Sequence, residues 1–266
     1  MVFINKTLKE LTMNNKKFIQ IVIPVILSLA IMSPATFADN HSAKVLAETW
    51  VITPKTGQSE AMLAGIKKHR DYRENLEDPR AWRFYSPILG DQLDKVAIRT
   101  FGSSWADMDT YREWSTKNDS QQNFNMNVDK YVSNYQHYIS VIDAENSDWG
   151  PEIKYRYVGV TSYTVKNGHR AAIEQDKKIM SDAAKAKNWP FNWQWSDSVS
   201  GKDTLMLAVP YKDWGSMAPP ETTFAQVLAK HLGNETEART VLERWSSHFT
   251  ATEYNVWGLR EDMKTD

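Results

Sequence analysis

The chain contains no cysteine. It therefore has no disulfide bonds, no thiolate metal ligands and no attachment cysteine of a lipoprotein. Also missing are the G-x-G-x-x-G and P-loop patterns, the G-x-S-x-G elbow of serine hydrolases, the EF-hand loop and the H-E-x-x-H zinc pair. We therefore predict neither a metal site nor a nucleotide cofactor, and the sequence gives no support for serine-hydrolase chemistry.

An excess of positive charge is lacking as well. The chain has 32 lysines and arginines against 33 acidic residues, and its first 38 residues hold four of the lysines and one glutamate. The remainder therefore has 28 basic and 32 acidic residues, a formal charge of −4. Nucleic-acid-binding domains carry a concentrated basic surface. We therefore expect no nucleic-acid partner.

The N-terminal segment has the pattern of a secretory signal peptide. The pair Lys16–Lys17 precedes an apolar run at 18–32, and small residues follow up to a cleavage site after Ala38. Met13 fits a translation start, which would make residues 1–12 an upstream extension. The run is shorter than the ~20 residues of a membrane-spanning helix, and an uncleaved anchor is the alternative. We predict a periplasmic protein, or a fully secreted one, without membrane contact after cleavage.

The rest of the chain repeats itself. The turn T-P-K-T-G at Gly57 matches T-V-K-N-G at Gly168, and Trp-Gly pairs at 149–150 and 257–258 close the two halves. The spacing between matched positions falls only from 111 to 108 residues. A nearly constant spacing of this kind indicates an internal duplication.

Both repeats predict the element order β-α-β-β-α-β. The first repeat, 39–150, has a long helix at 58–76 before an aromatic hairpin, and a further helix is predicted at 128–138. The second repeat, 151–266, has its long helix at 170–187. This order is the ferredoxin-like arrangement, in which helices cover one face of an antiparallel sheet. Because the other face must also be covered, we predict an α+β fold whose two repeats pair as an intramolecular α+β barrel, a pseudo-dimer.

The strand, the T-P-K-x-G or T-V-K-x-G turn, the long amphipathic helix and the aromatic hairpin resemble the dimeric α+β barrel superfamily. The resemblance covers residues 44–115 and 154–217. Members include the antibiotic-biosynthesis monooxygenase-like and NIPSNAP-like proteins. It implies the fold, and it leaves cofactor-independent oxygenases, haem-handling enzymes, isomerases and proteins of no assigned activity open. No catalytic signature of these members can be placed on this sequence residue by residue.

His69 is the candidate catalytic residue. It lies on the inward stripe of the helix at 58–76, where the second repeat has Ile179 or Met180. An ionisable residue in only one repeat is expected where function diverged after duplication. A buried imidazole can act as a general base or as a haem ligand. The structural alternative is a core histidine bonded to a backbone carbonyl. We predict no cofactor, with haem as the alternative.

The hairpin strands hold the second set of candidates. Side chains alternate along a strand, so that Arg83 and Tyr85 share one face, and Arg99 lies on the neighbouring strand. Trp193 and Trp195 are in the corresponding strand of the second repeat. If this face lines the barrel, it forms an aromatic cavity that suits a small planar or anionic molecule. The structural alternative is a surface ion pair with ordinary cross-strand packing.

Three functions remain open, and whether the protein is an enzyme is open with them. We favour a periplasmic protein that binds a small molecule between the repeats. The second is a cofactor-independent or haem-dependent oxygenase-type enzyme. The third is a carbohydrate- or protein-binding module that uses some of the 11 tryptophans, although tryptophan is mostly a core residue. A monomer and a homodimer are both compatible with a tandem pseudo-dimer.

Overall fold

Eight strands form one closed barrel in the computed structural model, which describes residues 45–91 and 93–263. The predicted signal peptide and its cleavage site lie outside the described residues. Within the described ranges, no helix has the length and apolar character needed to span a bilayer.

Each repeat contributes four strands and three helices to this architecture. Those of the first are β1 (Leu46–Pro54), α1 (Ser59–Glu74), β2 (Arg83–Leu89), β3 (Val96–Ser103), α2 (Trp105–Lys117), α3 (Ser120–Asn127) and β4 (Val132–Asp148). Those of the second are β5 (Tyr157–Val165), α4 (Arg170–Ala186), β6 (Trp193–Ser198), β7 (Thr204–Tyr211), α5 (Phe224–Leu232), α6 (Glu235–Ser247) and β8 (Phe249–Leu259). The predicted order is confirmed, with two helices before the last strand of each repeat.

The ring of strands is built from two ferredoxin-like sheets. Their strand orders are β4-β1-β3-β2 and β8-β5-β7-β6, and antiparallel pairing of β2 with β8 and of β4 with β6 joins them. A closed ring turns one face of every strand towards the barrel interior, while the helices pack against the outer face of the sheet in each repeat. The α+β barrel fold predicted from the sequence is confirmed.

The predicted helix at 128–138 is wrong. A single 3-10 turn, Asp129–Tyr131, is followed at once by β4, which pairs with β1 from Val132 onwards. The aromatic residues of this segment fit a helical spacing locally. Pairing with β1 satisfies the backbone N–H and C=O groups on that side of β4, and such tertiary contacts override a local pattern.

Separate cores lie on the two sides of the sheet. The barrel interior holds a cluster that includes Tyr85, Ala97 and Val158, and both tryptophans of the repeated Trp-Gly pairs, Trp149 and Trp257, pack against it. The outer face of the first repeat packs on α1 through apolar side chains that include Ile52, Met62, Ile66, Trp82, Phe84 and Ile98. The outer face of the second repeat packs on its helices through Ile173, Met180, Trp193, Trp195, Leu205, Leu228, Trp245 and Phe249.

The repeated glycines have the same role in both halves. Gly57 has a φ of 73° and Gly168 a φ of 81°, each in the turn between a strand and a long helix. This left-handed conformation is readily adopted by glycine and costs energy for other residues. The matched turns therefore explain why this position is shared between the repeats.

Candidate functional site

A cleft of about 1170 Å³ lies between the helices and the sheet of the first repeat. Ligand pockets commonly measure roughly 300–1,000 Å³, so that the cleft has room for a sizeable small molecule. Aromatic side chains line it: Trp50, Trp82, Phe84, Tyr111, Phe124 and Tyr135. It lies outside the barrel, whereas the predicted site lay between the repeats.

His69 of α1 is the one predicted site residue that lines this cleft. Its side chain is buried, at 7% exposure. Nδ1 lies 2.9 Å from the amide oxygen of Asn123 on α3, and the ring meets Phe124 edge to face. The partner of the imidazole is thus a side chain of the neighbouring helix and not a backbone carbonyl.

This hydrogen bond fixes the tautomer of His69. An amide oxygen only accepts, so Nδ1 donates and Nε2 keeps its lone pair. Among the described residues, Ser140 Oγ is the one fully buried side-chain polar atom without a partner. Nε2 has no hydrogen bond among the described residues and is not one of the fully buried atoms without a partner, so it retains accessible surface, and His69 lines the cleft.

Burial lowers the pKa of His69 to about 4; the hydrogen bond that Nδ1 donates to Asn123 opposes this effect, and the nearby charge of Arg73 adds to it. The imidazole is therefore neutral at neutral pH. A base this weak is poorly matched to general-base catalysis near pH 7. A neutral imidazole with a fixed tautomer is instead suited to accept a hydrogen bond or to ligate a metal.

Gly65 allows α3 to approach α1 at this point. A Cβ on Gly65 would lie 2.1 Å from the backbone oxygen of Asn127, which only a glycine avoids. His69 lies one helical turn after Gly65 on α1, and Asn123 lies one turn before Asn127 on α3. The close helix contact therefore brings the amide of Asn123 to the imidazole.

Glu48 of β1 organises the inner wall of the cleft. Its carboxylate pairs with Arg80 and accepts hydrogen bonds from Trp50 Nε1 at 3.1 Å and His137 Nε2 at 2.9 Å. The rings of Trp50 and His137 stack with centroids 3.9 Å apart. Burial raises the pKa of Glu48, but the bonds from His137 and Trp50 and the charge of Arg80 outweigh it, so that the pKa lies below its ordinary value.

Sequence reasoning missed this cluster, although a signal for it was present. Alternation along β1 places Glu48, Trp50 and Ile52 on one face, and a carboxylate on an otherwise apolar strand face needs a buried partner. That partner, Arg80, comes from the loop before β2, and a single sequence does not indicate this long-range contact.

A second buried ion pair stands next to it. Arg73 Nε donates to Asp78 Oδ2 at 2.7 Å, and the Arg73 guanidinium lies 4.5 Å from the ring centre of Trp82 and contacts the Tyr111 hydroxyl. Burial lowers the pKa of Arg73, and the carboxylate of Asp78 opposes this change. The inner wall is thus balanced in charge, with each of its two arginines paired.

The charge of the whole lining argues against an anionic ligand at this place. Four arginines face six carboxylates: Arg70, Arg73, Arg80 and Arg112 against Glu48, Glu74, Glu77, Asp78, Asp109 and Asp129. Because the inner pairs cancel, the excess of negative charge lies among the outer residues. An uncharged planar molecule suits such a cleft better than an anion does.

The other predicted residues lie elsewhere. Arg83, Tyr85 and Arg99 are brought together, but on the barrel side of β2 and β3, opposite the cleft. Trp193 and Trp195 are 6% and 5% exposed, under the helices of the second repeat. Trp193 Nε1 donates to the backbone oxygen of Asn146, and Trp195 Nε1 donates to Ser181 Oγ. The structure therefore separates the two tryptophans from the arginines and from His69.

Two further observations limit the chemistry of the described residues. Among them, no group of three or more histidine and carboxylate side chains is arranged to hold a metal ion. Of the 11 tryptophans, Trp105 and Trp214 are exposed, and they belong to different repeats. The described surface thus shows no cluster of exposed indoles for a carbohydrate.

No family model matches the chain, and no curated protein matches it either. Solved structures do. A candidate monooxygenase from Fusobacterium nucleatum matches with a TM-score of 0.55 and 10% identity, over 82% of this chain and 93% of that one. A candidate monooxygenase from Lactobacillus acidophilus matches with 0.53 and 7%, over 84% and 98%. An anthrone oxidase-like protein matches with 0.51 and 9%, over 83% and 93%.

At these identities the likeness concerns the fold. It agrees with the resemblance seen in the sequence, and the chain has the fold of the dimeric α+β barrel, ferredoxin-like superfamily.

The burial of His69 makes the stability of the protein depend on pH. Its pKa of about 4 in the folded state lies below the ordinary 6.5, so the unfolded chain takes up the proton first as the pH falls. The stability that neutral His69 contributes is complete above pH 6.5 and is lost towards pH 4. From about pH 7 to about pH 5, we expect this residue alone to lower the free energy of unfolding by about 2 kcal/mol, measured by urea denaturation.

The matched variant is His69→Gln, which keeps an amide facing Asn123 but does not titrate. Its loss of stability between the same two pH values should be smaller by that amount. An equal loss in both proteins would mean that the pKa of His69 is close to its ordinary value.

Proposed function

We propose that this protein binds a small, planar, uncharged molecule in the cleft of the first repeat, and that His69 Nε2 accepts a hydrogen bond from it. The observation that carries the proposal is the neutral, fixed imidazole of His69, with Nδ1 bound to Asn123 and Nε2 facing the cleft. A ring nitrogen that retains accessible surface and has no partner among the described residues is a natural contact for a ligand hydroxyl.

The surrounding walls support a planar ligand. The stacked rings of Trp50 and His137, together with Phe84 and Phe124, offer flat apolar surfaces on several sides. Pockets of this kind gain most of their affinity from apolar contact, while a few polar groups set orientation. The balanced inner ion pairs give no advantage to a charged molecule.

The same fold occurs in proteins named for monooxygenase and oxidase-like activity. A fold does not assign a reaction. Those names make oxidation of a bound planar molecule the first reaction to assay for this chain.

The first test uses 2-naphthol as a planar, uncharged probe with one hydroxyl. We expect it to quench tryptophan fluorescence and to bind more tightly than 2-naphthoate, which has the same ring system and a negative charge. His69→Phe keeps a ring but removes the acceptor. This variant should bind 2-naphthol about fivefold more weakly, since a hydrogen bond contributes about 1 kcal/mol.

The matched control is His231→Phe, which changes a histidine of α5 in the second repeat, away from the cleft. It should bind 2-naphthol as the unchanged protein does. Equal binding by His69→Phe, or a preference for 2-naphthoate, would contradict the proposed site.

A second candidate is haem, and the same tautomer favours it. Histidines that ligate a metal donate their other N–H to a fixed acceptor, as His69 does to Asn123. His69 would hold the iron, and Arg112 at the exposed rim of the lining would face a haem carboxylate. Haem would supply redox chemistry; the residues of this chain would bind it, orient it and keep Nε2 deprotonated.

Haemin titration separates this candidate from the first. Binding through His69 predicts a Soret band that develops at one equivalent, disappears in His69→Ala and persists in His137→Ala. His137 is the matched control because it lines the same cleft while its Nε2 is engaged by Glu48. Haemin that stays in its free spectrum, or equal spectra for both variants, would exclude haem ligation by His69.

We further propose that the protein is exported and that its leader is removed after Ala38. The charged pair, the apolar run and the small residues before Asp39 support this. Expression in a bacterium should give a periplasmic protein whose mass, measured by intact mass spectrometry, equals that of a chain starting at Asp39. Ala38→Phe should block cleavage, because the last leader position requires a small side chain. A full-length chain in the cytoplasm or in the membrane fraction would contradict export.

A further inference from the structure

The barrel side of β2 and β3 contains a second site that the cleft does not explain. We propose that Arg83 and Arg99 bind the oxyanion group, a carboxylate or a phosphate, of a small molecule at the mouth of the barrel. The site lies on the opposite face of the same sheet from the cleft and does not depend on the function proposed there.

Two guanidinium groups share this face. Arg83 and Arg99 are directly opposite each other in the antiparallel pairing of β2 with β3. The guanidinium carbons lie 5.6 and 4.8 Å from the ring centre of Phe101. Like charges at directly opposite positions of a sheet are destabilising, so that this arrangement needs a compensating group.

The described part of the chain does not supply one. Neither guanidinium has a carboxylate at ion-pair distance among the described residues; Arg83 Nη1 donates to the Tyr155 hydroxyl at 2.8 Å, and Arg99 Nη1 to Thr49 Oγ1 at 2.5 Å. A guanidinium carries five N–H groups, and the tyrosine hydroxyls and Thr49 engage only some of those of Arg83 and Arg99. The remaining N–H groups are directed donors without an anionic partner.

Two buried cations elsewhere in the described chain do have carboxylate partners. Lys177, at 1% exposure, has its ammonium 2.6 Å from Asp143 and 2.8 Å from Glu174. Arg80 is paired with Glu48. Burial lowers the pKa of Arg99, which only the neighbouring tyrosines oppose. Arg99 thus differs from Lys177 and Arg80 in having no carboxylate partner among the described residues.

The tyrosines leave one more donor. The hydroxyls of Tyr85 and Tyr155 lie 2.8 Å apart, so that one of them donates to the other, while Tyr155 also accepts from Arg83. Each tyrosine has one hydroxyl proton, and the hydrogen bond between the two hydroxyls uses only one of these protons. Whichever hydroxyl donates, the second proton is left over, and a phenolic O–H beside two guanidiniums completes a binding site for an oxyanion.

The site is open to solvent and partly aromatic. Arg83 is exposed, Arg99 is half-buried, and Phe101 lies at the exposed edge of β3. Trp149 meets Tyr155 edge to face, with ring centres 5.1 Å apart. An oxyanion can therefore enter from solvent, and an attached apolar ring would find aromatic neighbours.

The test measures thermal stability of the mature protein in a low-salt buffer, with sodium benzoate, sodium phosphate or sodium chloride at equal ionic strength. A ligand that binds only the folded state stabilises it by RT ln(1 + c/Kd), where c is the free ligand concentration, and so raises Tm increasingly with its concentration. We expect benzoate or phosphate to raise Tm further than chloride does. A larger effect of benzoate identifies a carboxylate ligand, and a larger effect of phosphate identifies a phosphate ligand. Equal effects of all three salts mean general screening and overturn the proposal.

Variants locate the effect. Arg99→Gln keeps an amide that can donate to Thr49, and Arg83→Gln changes the exposed partner; each should weaken oxyanion binding at least tenfold in calorimetric titration, and neither should alter 2-naphthol binding. Without added anion, Arg99→Gln should be at least as stable as the unchanged protein, because it removes an uncompensated charge. Arg239→Gln on α6 is the control and should bind as the unchanged protein does. Unchanged oxyanion binding by both site variants would refute the assignment.

Discussion

Closure of the eight strands into a ring is the constraint on which each proposed site depends. Because β2 joins β8 and β4 joins β6, the strands enclose an interior, and neighbouring residues of one strand lie on different sides of the sheet. Arg83 lies on the barrel side, and Phe84, the next residue, lines the cleft under the helices. The two proposed sites, one cationic and one with an excess of carboxylates, are thus separated by the thickness of a single sheet.

The element order and the barrel could be predicted from the sequence because the same pattern of strands and helices occurs in both repeats, so that the assignment in one repeat supports the assignment in the other. The placement of Trp193 and Trp195 could not, because it depends on one residue of spacing. At 111 residues, the spacing of Gly57 and Gly168, these tryptophans match Trp82 and Phe84 and belong under the helices, where the structure has them. A spacing shorter by one matches them to Arg83 and Tyr85, since a one-residue slip exchanges the two faces of a strand.

The cleft shows a different limit. Alternation and helical spacing located His69, and its counterpart at the same spacing is Met180, a core residue of the second repeat. The partners that give His69 its properties, Asn123 and the close approach at Gly65, come from a helix that local patterns describe poorly. In the second repeat, the outer face of the sheet is packed with large aromatic rings, among them Tyr163, Trp195, Trp245 and Phe249. The second repeat thus has a packed aromatic core at the place where the first repeat has the cleft.

The two halves of the barrel belong to one chain, and this affects how amino-acid substitutions alter such a protein during evolution. In a barrel made from two identical subunits, each substitution is introduced twice and meets its own copy across the symmetry axis. Here a substitution is introduced once and always faces the same partner half. Each barrel therefore carries one cleft and one arginine pair, so that either half can acquire a ligand preference of its own without imposing it on the other.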